Sequence, residues 1–187
     1  MHNFFVWINI IRFWPHLLLI NAKCWQDVVA YSANEHRHRR IFTFLRLMTF
    51  NCSFRTLYYY RIGRKKYLIQ WLAPGEPTFH IANTCDVASG VLFFHSYGTT
   101  LNAWSIGAGC RITCNITLGD KRGMRPRIGE RVEILPGVVI AGDVTIGNNC
   151  VIGPNAVVYK SVPANCVVVG NPAYILKENS KIVNRPL

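Results

Sequence analysis

The chain has 187 residues, half of them hydrophobic, which suits one domain with a substantial core and a small appended segment and excludes a largely disordered chain. Its 21 Lys and Arg stand against 9 Asp and Glu, a net charge of +12, which points to a polyanionic partner: nucleic acid, an acidic membrane surface or a phosphate-rich cofactor. Seven cysteines without a CxxC pair set out no disulfide framework and fit a reduced, cytoplasmic protein.

Residues 4–20, FFVWINIIRFWPHLLLI, are apolar and aromatic but interrupted by Asn9, Arg12, Pro15 and His16. They lack the roughly 20 unbroken apolar residues of a spanning helix and the plan of a signal peptide. Helical segments broken near Pro15 are expected here, packed on a neighbour or lying at a membrane surface. The basic charge gathers in EHRHRR (35–40) and RIGRKK (61–66), read as solvated or phosphate-facing surface. Residues 40–63 place apolar side chains at helical intervals, with a break at Asn51–Ser53. The turn-rich APGEP (73–77) then closes an N-terminal helical segment, 1–77.

From Ile81 a period of six takes over. Ile81, Val87, Ile106, Ile112, Leu118, Ile128, Ile134, Ile140, Ile146, Ile152 and Val158 open successive hexads, and a small or branched residue follows all but Leu118 by four, as Cys110 follows Ile106 and Ala156 follows Ile152. Six residues make a short strand and a turn, so three hexads close one triangular coil with both apolar positions inside. Glycine or asparagine supplies the corner conformations. Such a coil buries its interior only by stacking on others, so the column needs covered ends. The helical segment is expected to cover one end, and residues 174–187 to leave the column and close the other, which delimits the column as 78–173. Two irregularities mark candidate functional loops. Thirteen residues separate Phe93 from Ile106, a slip around SYGTTLNAWS, and ten separate Leu118 from Ile128, where part of GDKRGMRPR bulges out.

The motifs GVLFFHSYGTTLN (90–102), ITCNITLG (112–119), RPRIGE (125–130) and VYKSVPANCVVVGNPA (158–173) resemble the serine acetyltransferase-like branch of the hexapeptide-repeat acyltransferases, which also includes O-acetyltransferases of surface polysaccharides. The resemblance implies a mainly β chain, a left-handed parallel β-helix behind an N-terminal α-helical segment. It implies transfer of acetyl from acetyl-CoA to a hydroxyl, without a metal, in a homotrimer whose cofactor groove lies between columns. It makes His95 the catalytic base, a role that suits an imidazole because it titrates near neutral pH. It places acceptor binding at His80, Phe94, Tyr97, Asn102 and Arg125. Acetyl-CoA binding falls at Gly119, Arg127, Pro136, Gly137, Pro154, Asn155, Lys160 and Lys177. The prolines have no N–H to offer, so at 136 and 154 a bond must use the carbonyl or the N–H of Gly137 or Asn155.

Three departures bear on the acceptor. Serine-specific members of that branch carry carboxylates where this chain has His80 and Phe94, and a histidine where it has Arg125. An arginine fork still suits a carboxylate, but together the changes favour a sugar hydroxyl of a surface polysaccharide or its precursor, with serine as the alternative acceptor. Without those carboxylates a backbone carbonyl or His80 is left to fix the His95 tautomer. A metal-dependent hydratase on this fold would need three converging histidines, and HRH (36–38) sits among arginines. Nucleic acid binding has charge in its favour but no recognisable module. A non-catalytic trimeric scaffold or a protein in peripheral contact with a membrane remains the alternative of a different class.

Overall fold

The computed structural model describes residues 12–34 and 40–187. The expectations attached to residues 1–11 and to the basic run at 35–39 lie outside the described residues. The chain forms two compact units, Met1–Pro77 and Thr78–Leu187.

In the first unit residues 12–18 are helical, followed by α1 (Ala22–Asn34), α2 (Arg40–Phe50), α3 (Cys52–Ile62) and a 3-10 segment, Gly63–Leu68. The break expected near Pro15 falls later. The helix runs through Pro15, and the chain turns at Leu19, whose N–H donates to the His16 carbonyl at 3.2 Å. Asn21 then starts α1, its Oδ1 accepting the Cys24 N–H at 2.9 Å, which relieves one of the orphan donors of a helix start. Asn51 does the same for α3, accepting from Phe54 N–H at 2.8 Å, so the expected break at 51–53 is one capping residue.

Aromatic packing fills this unit: Phe13, Phe44, Phe54 and Tyr58 are all essentially buried. Tyr58 meets Phe44 edge to face at 5.7 Å between ring centroids. Inside it, Arg61 and Asp27 pair at 2.8 Å, both almost wholly buried, with a second contact at 3.3 Å. Removing one partner of such a pair would leave a buried charge uncompensated, at a cost of about 3–5 kcal/mol. His16 is buried as well; its Nε2 lies 3.0 Å from the Tyr59 hydroxyl, while Nδ1 has no partner.

Burial, with the nearby Arg12 charge second, lowers the His16 pKa from 6.5 to about 4. The folded protein therefore holds this ring neutral, whereas an unfolded chain protonates it near 6.5. The stability that follows is complete above that pH and declines as pH falls towards about 4. Thermal melts across that window should show the midpoint dropping with acidification, with a shallower drop in His16→Leu.

The second unit is a three-sided column of short parallel strands. Face I stacks β1 (Phe79–Ile81), β4 (Thr99–Leu101), β7 (Thr117–Gly119), β10 (Val139–Ala141) and β13 (Val157–Val158). Face II stacks β2 (Asp86–Val87), β5 (Ser105–Ile106), β8 (Arg127–Ile128) and β11 (Thr145–Ile146). Face III stacks β3 (Leu92–Phe93), β6 (Arg111–Ile112), β9 (Glu133–Ile134), β12 (Val151–Ile152) and β14 (Cys166–Val169). Two antiparallel strands, β15 (Tyr174–Glu178) and β16 (Lys181–Pro186), extend face III at its far edge, so residues 174–187 reverse direction while remaining in its sheet.

The hexad residues lie where the period puts them. Ile106, Ile112, Leu118, Ile134, Ile140, Ile146, Ile152 and Val158 are buried, as are Cys85, Cys110, Ile116, Val132, Val138, Cys150 and Ala156 between them. Ile81 is half-exposed, at the end of face I where no further coil covers it. All seven cysteines are free, and burial pushes the Cys110 thiol up to about 11, which makes it a small hydrophobe and a poor nucleophile.

The slip between Phe93 and Ile106 resolves into two defects. Leu101, which the period misses, is the inward residue of β4, in register with Ile81 and Leu118. Eight residues thus separate Phe93 from Leu101 and five separate Leu101 from Ile106. The first corner carries two extra residues and the next is one short. The small inward position of that first corner is filled by Thr99, fully buried, a polar exception to an otherwise apolar series.

Candidate active site

The edge between faces III and I is built from residues 94–98, 113–116, 135–138 and 153–156, one corner per coil. Gly98, Asn115, Gly137 and Asn155 occupy the left-handed region there, with φ of 62°, 55°, 77° and 56°, a conformation that glycine adopts freely and asparagine tolerates. A backbone ladder runs along them: Asn115 N–H to Tyr97 O at 2.9 Å, Gly137 N–H to Cys114 O at 3.2 Å and Asn155 N–H to Pro136 O at 2.9 Å. At Gly137 a Cβ would overlap the Asn155 amide oxygen, so a side chain here would displace the Asn155 amide as well as strain the left-handed backbone.

His95 belongs to the corner with two extra residues. Its φ is 51°, and its side chain is exposed while Ser96 beside it is buried. The insertion therefore lifts one imidazole out of the regular wall. The corner is braced from within by Thr99. Its hydroxyl accepts the Ile116 N–H at 3.3 Å and lies 3.3 Å from Tyr97 O and 3.4 Å from Thr113 O. Gly98 N–H donates to Thr78 Oγ1 at 3.0 Å. Tyr97 is exposed, and a hydrogen bond with Cys114 raises its phenol pKa. Thr78, Thr99 and Cys114 were not singled out from sequence. The polar residue displaced from the hexad register was the available signal.

Phe94 is half-buried, with the Arg111 guanidinium 5.0 Å from its ring centroid, a cation–π contact where the resemblance leads one to expect a carboxylate. His80 is exposed on β1, opposite Thr100. The His80 and His95 rings are not hydrogen-bonded to each other, so His80 does not fix the His95 tautomer within this chain.

Most of the remaining candidates fall at two places. Pro136, Gly137, Pro154 and Asn155 share the III–I edge with His95. The N–H groups of Gly137 and Asn155 and the carbonyl of Pro136 are engaged in the ladder, so the expected use of those two N–H groups for a ligand does not fit. Asn102, Gly119, Arg125 and Lys160 lie instead along the I–II edge. There the extruded loop folds into a small turn, with Lys121 and Met124 bridged and Asp120 Oδ1 accepting the Gly123 N–H at 2.9 Å.

Arg125 is held at that edge by three neighbours. Nη1 donates to Thr84 Oγ1 at 2.6 Å, the guanidinium lies 4.9 Å from the Trp104 ring centroid, and Nε is 3.7 Å from Asp120. Nε makes no hydrogen bond. Arg127 pairs with Asp143 at 3.1 Å, and Lys160 Nζ donates to Leu187 O at 2.5 Å. Two of the three cations expected at acetyl-CoA thus have partners in the chain. Lys177 is exposed on β15, opposite Val167 of face III. Among the described residues, no group of three or more His, Cys, Asp or Glu could hold a metal ion, and no helix is long and apolar enough to cross a membrane.

A column of hexapeptide coils with a single imidazole raised from one edge defines a class. Residues 125–160 match the family model for the bacterial transferase hexapeptide, six repeats. Ninety residues are 39% identical to a serine acetyltransferase of Staphylococcus xylosus, covering 43% of this chain and 42% of that one. The match thus spans less than half the length of this curated relative. Among solved structures, serine acetyltransferase of Neisseria gonorrhoeae in complex with serine superposes with a TM-score of 0.67 at 25% identity, over 83% of this chain and 68% of that one. Serine acetyltransferase of Brucella abortus strain S19 in complex with coenzyme A gives 0.67 at 22% identity, over 91% and 70%. The column has a left-handed parallel β-helical fold similar to that of solved serine acetyltransferases, and within it lie both the hexapeptide match and most of the likeness to the curated serine acetyltransferase.

Replacing Thr99 by Val keeps the shape and strips the hydroxyl, leaving the buried Ile116 N–H without its acceptor. A loss of about 1–3 kcal/mol is expected, measurable by denaturant titration.

Proposed function

We propose that the chain is an acetyl-CoA-dependent O-acetyltransferase, with His95 as general base. The observation that carries this is the exposed imidazole raised at the III–I corner where two extra residues enter the coil. In the reaction, His95 takes the proton of the acceptor hydroxyl as its oxygen attacks the thioester carbonyl. A C–O bond forms, the C–S bond breaks, and the proton passes from His95 to the departing CoA thiolate. Donors that steady the oxyanion supply the rest of the rate.

Serine is the acceptor favoured by the relatives named above, which are serine acetyltransferases, one of them in complex with serine. Arg125, with Nη2 left over from its contacts to Thr84 and Trp104, is the group available for a carboxylate, although Asp120 beside it offsets part of its charge. A sugar hydroxyl is the second reading. It rests on Phe94, stacked under Arg111, and His80, which stand where serine-specific enzymes of the resembled branch carry carboxylates.

His95 and Arg125 lie on different edges of the prism, so one acceptor can meet both only if a neighbouring copy brings its I–II edge to this III–I edge. That geometry supports a homotrimer, a closed ring matching the three-sided column. A donor found inside cells places such an enzyme in the cytoplasm.

The test is thiol release from acetyl-CoA with serine and with candidate sugars as acceptors. His95→Asn keeps a residue that tolerates the left-handed φ while removing the base, and should slow transfer by about a hundred- to ten-thousandfold. Equal rates for the variant and the wild type would overturn the assignment, and the faster acceptor decides between serine and sugar.

A further inference from the structure

The 3-10 segment Gly63–Leu68 and the turn after it present a surface that the reading above does not use. Tyr67, Leu68 and Trp71 are 67%, 70% and 74% exposed, although large apolar side chains normally seek cover. Arg64 and Lys65 beside them are exposed too, while Ile69 turns inward and is buried. In a 3-10 turn, positions three apart eclipse, which sets Tyr67 over Arg64 and Leu68 over Lys65. The Trp71 indole N–H is satisfied by Leu68 O at 3.0 Å, so the ring faces outward with its donor already paired. Lys66 lies 5.4 Å from the Tyr67 ring centroid. Arg12 donates to Leu72 O at 2.8 Å, tying on the helix at 12–18, which exposes Trp14 at 59% and Leu18 at 68%.

We propose that Arg64, Lys65, Tyr67, Leu68 and Trp71 form a docking surface for an anionic lipid bilayer, with the aromatic and leucine side chains entering the headgroup boundary and the cations meeting lipid phosphates. Charge selects this occupant. From residue 36 to residue 75 the chain has nine Lys and Arg and no Asp or Glu; Arg61 is taken up by buried Asp27, and the other eight leave a positive excess that an anionic surface complements and that a second copy of the same patch would repel. Composition agrees: tryptophan and tyrosine next to lysine and arginine are the side chains that settle at a membrane interface. The surface lies within the helical unit, so the inference does not rest on acetyl transfer.

The experiment is flotation of the full chain with vesicles of phosphatidylcholine alone and with phosphatidylserine added. Wild type should float with the serine-lipid vesicles only, and added salt should release it. Tyr67→Ser/Leu68→Ser/Trp71→Ser and Arg64→Gln/Lys65→Gln alter exposed side chains, so folding should persist. Each should lower the bound fraction about tenfold or more. The proposal is overturned if wild type stays unbound or if both variants float like wild type, which would assign any binding to another segment. A smaller assembly for the apolar variant by light scattering would also overturn it, giving the patch to a second copy.

Discussion

Parallel stacking of coils six residues per side is the constraint on which the rest of the column depends. Its strands are two to four residues long along the parallel part, too short to persist by themselves, and each coil pairs its backbone with the next, as Thr117 N–H does with Val138 O and Val139 N–H with Ala156 O. Burial is likewise shared: Leu118 lies in register with Leu101 on one side and Ile140 on the other. A residue added inside a face would break both registers at once. Variation is therefore confined to corners, where extra chain can loop outward without disturbing the stack.

Both departures from the period lie at corners. The two residues added between Phe93 and Leu101 raise His95 and bring Thr99 inside, where its hydroxyl accepts the Ile116 N–H, while the equivalent N–H of Ala156 goes to Gly153 O within its own corner. The extruded loop at the I–II edge carries Arg125 against Thr84 and Trp104. A regular solenoid presents much the same surface at every coil. The irregular corners are where this column departs from that uniformity.

The helical unit follows different physics. Its aromatic interior encloses polar groups that must be matched: the Arg61–Asp27 pair and the His16–Tyr59 contact. A neutral His16 is the form this interior accepts, which ties its stability to pH. The same unit leaves Tyr67, Leu68 and Trp71 outside, although burial of such side chains stabilises most folds.

Sequence alone determined the column, because the period of six is written in consecutive residues and needs no partner to be read. It also determined the corner asparagines and glycines and the break at Asn51. It misplaced the break near Pro15, since the cap at Asn21 decides where the next helix begins, and it missed Leu101 because two opposite errors in spacing nearly cancel. The weight it gave to a sugar acceptor came from residues at 80, 94 and 125, whereas the relatives compared above are serine acetyltransferases. Only the tertiary structure decided which candidates share an edge. Positions one after another in the chain pass through all three faces, so Arg125 and His95 part company while Pro154 and His95 align. Neither the partners of Arg127 and Lys160 nor the use of the Gly137 and Asn155 amides within the ladder could be read from order along the chain, because each depends on a neighbour in another coil or strand.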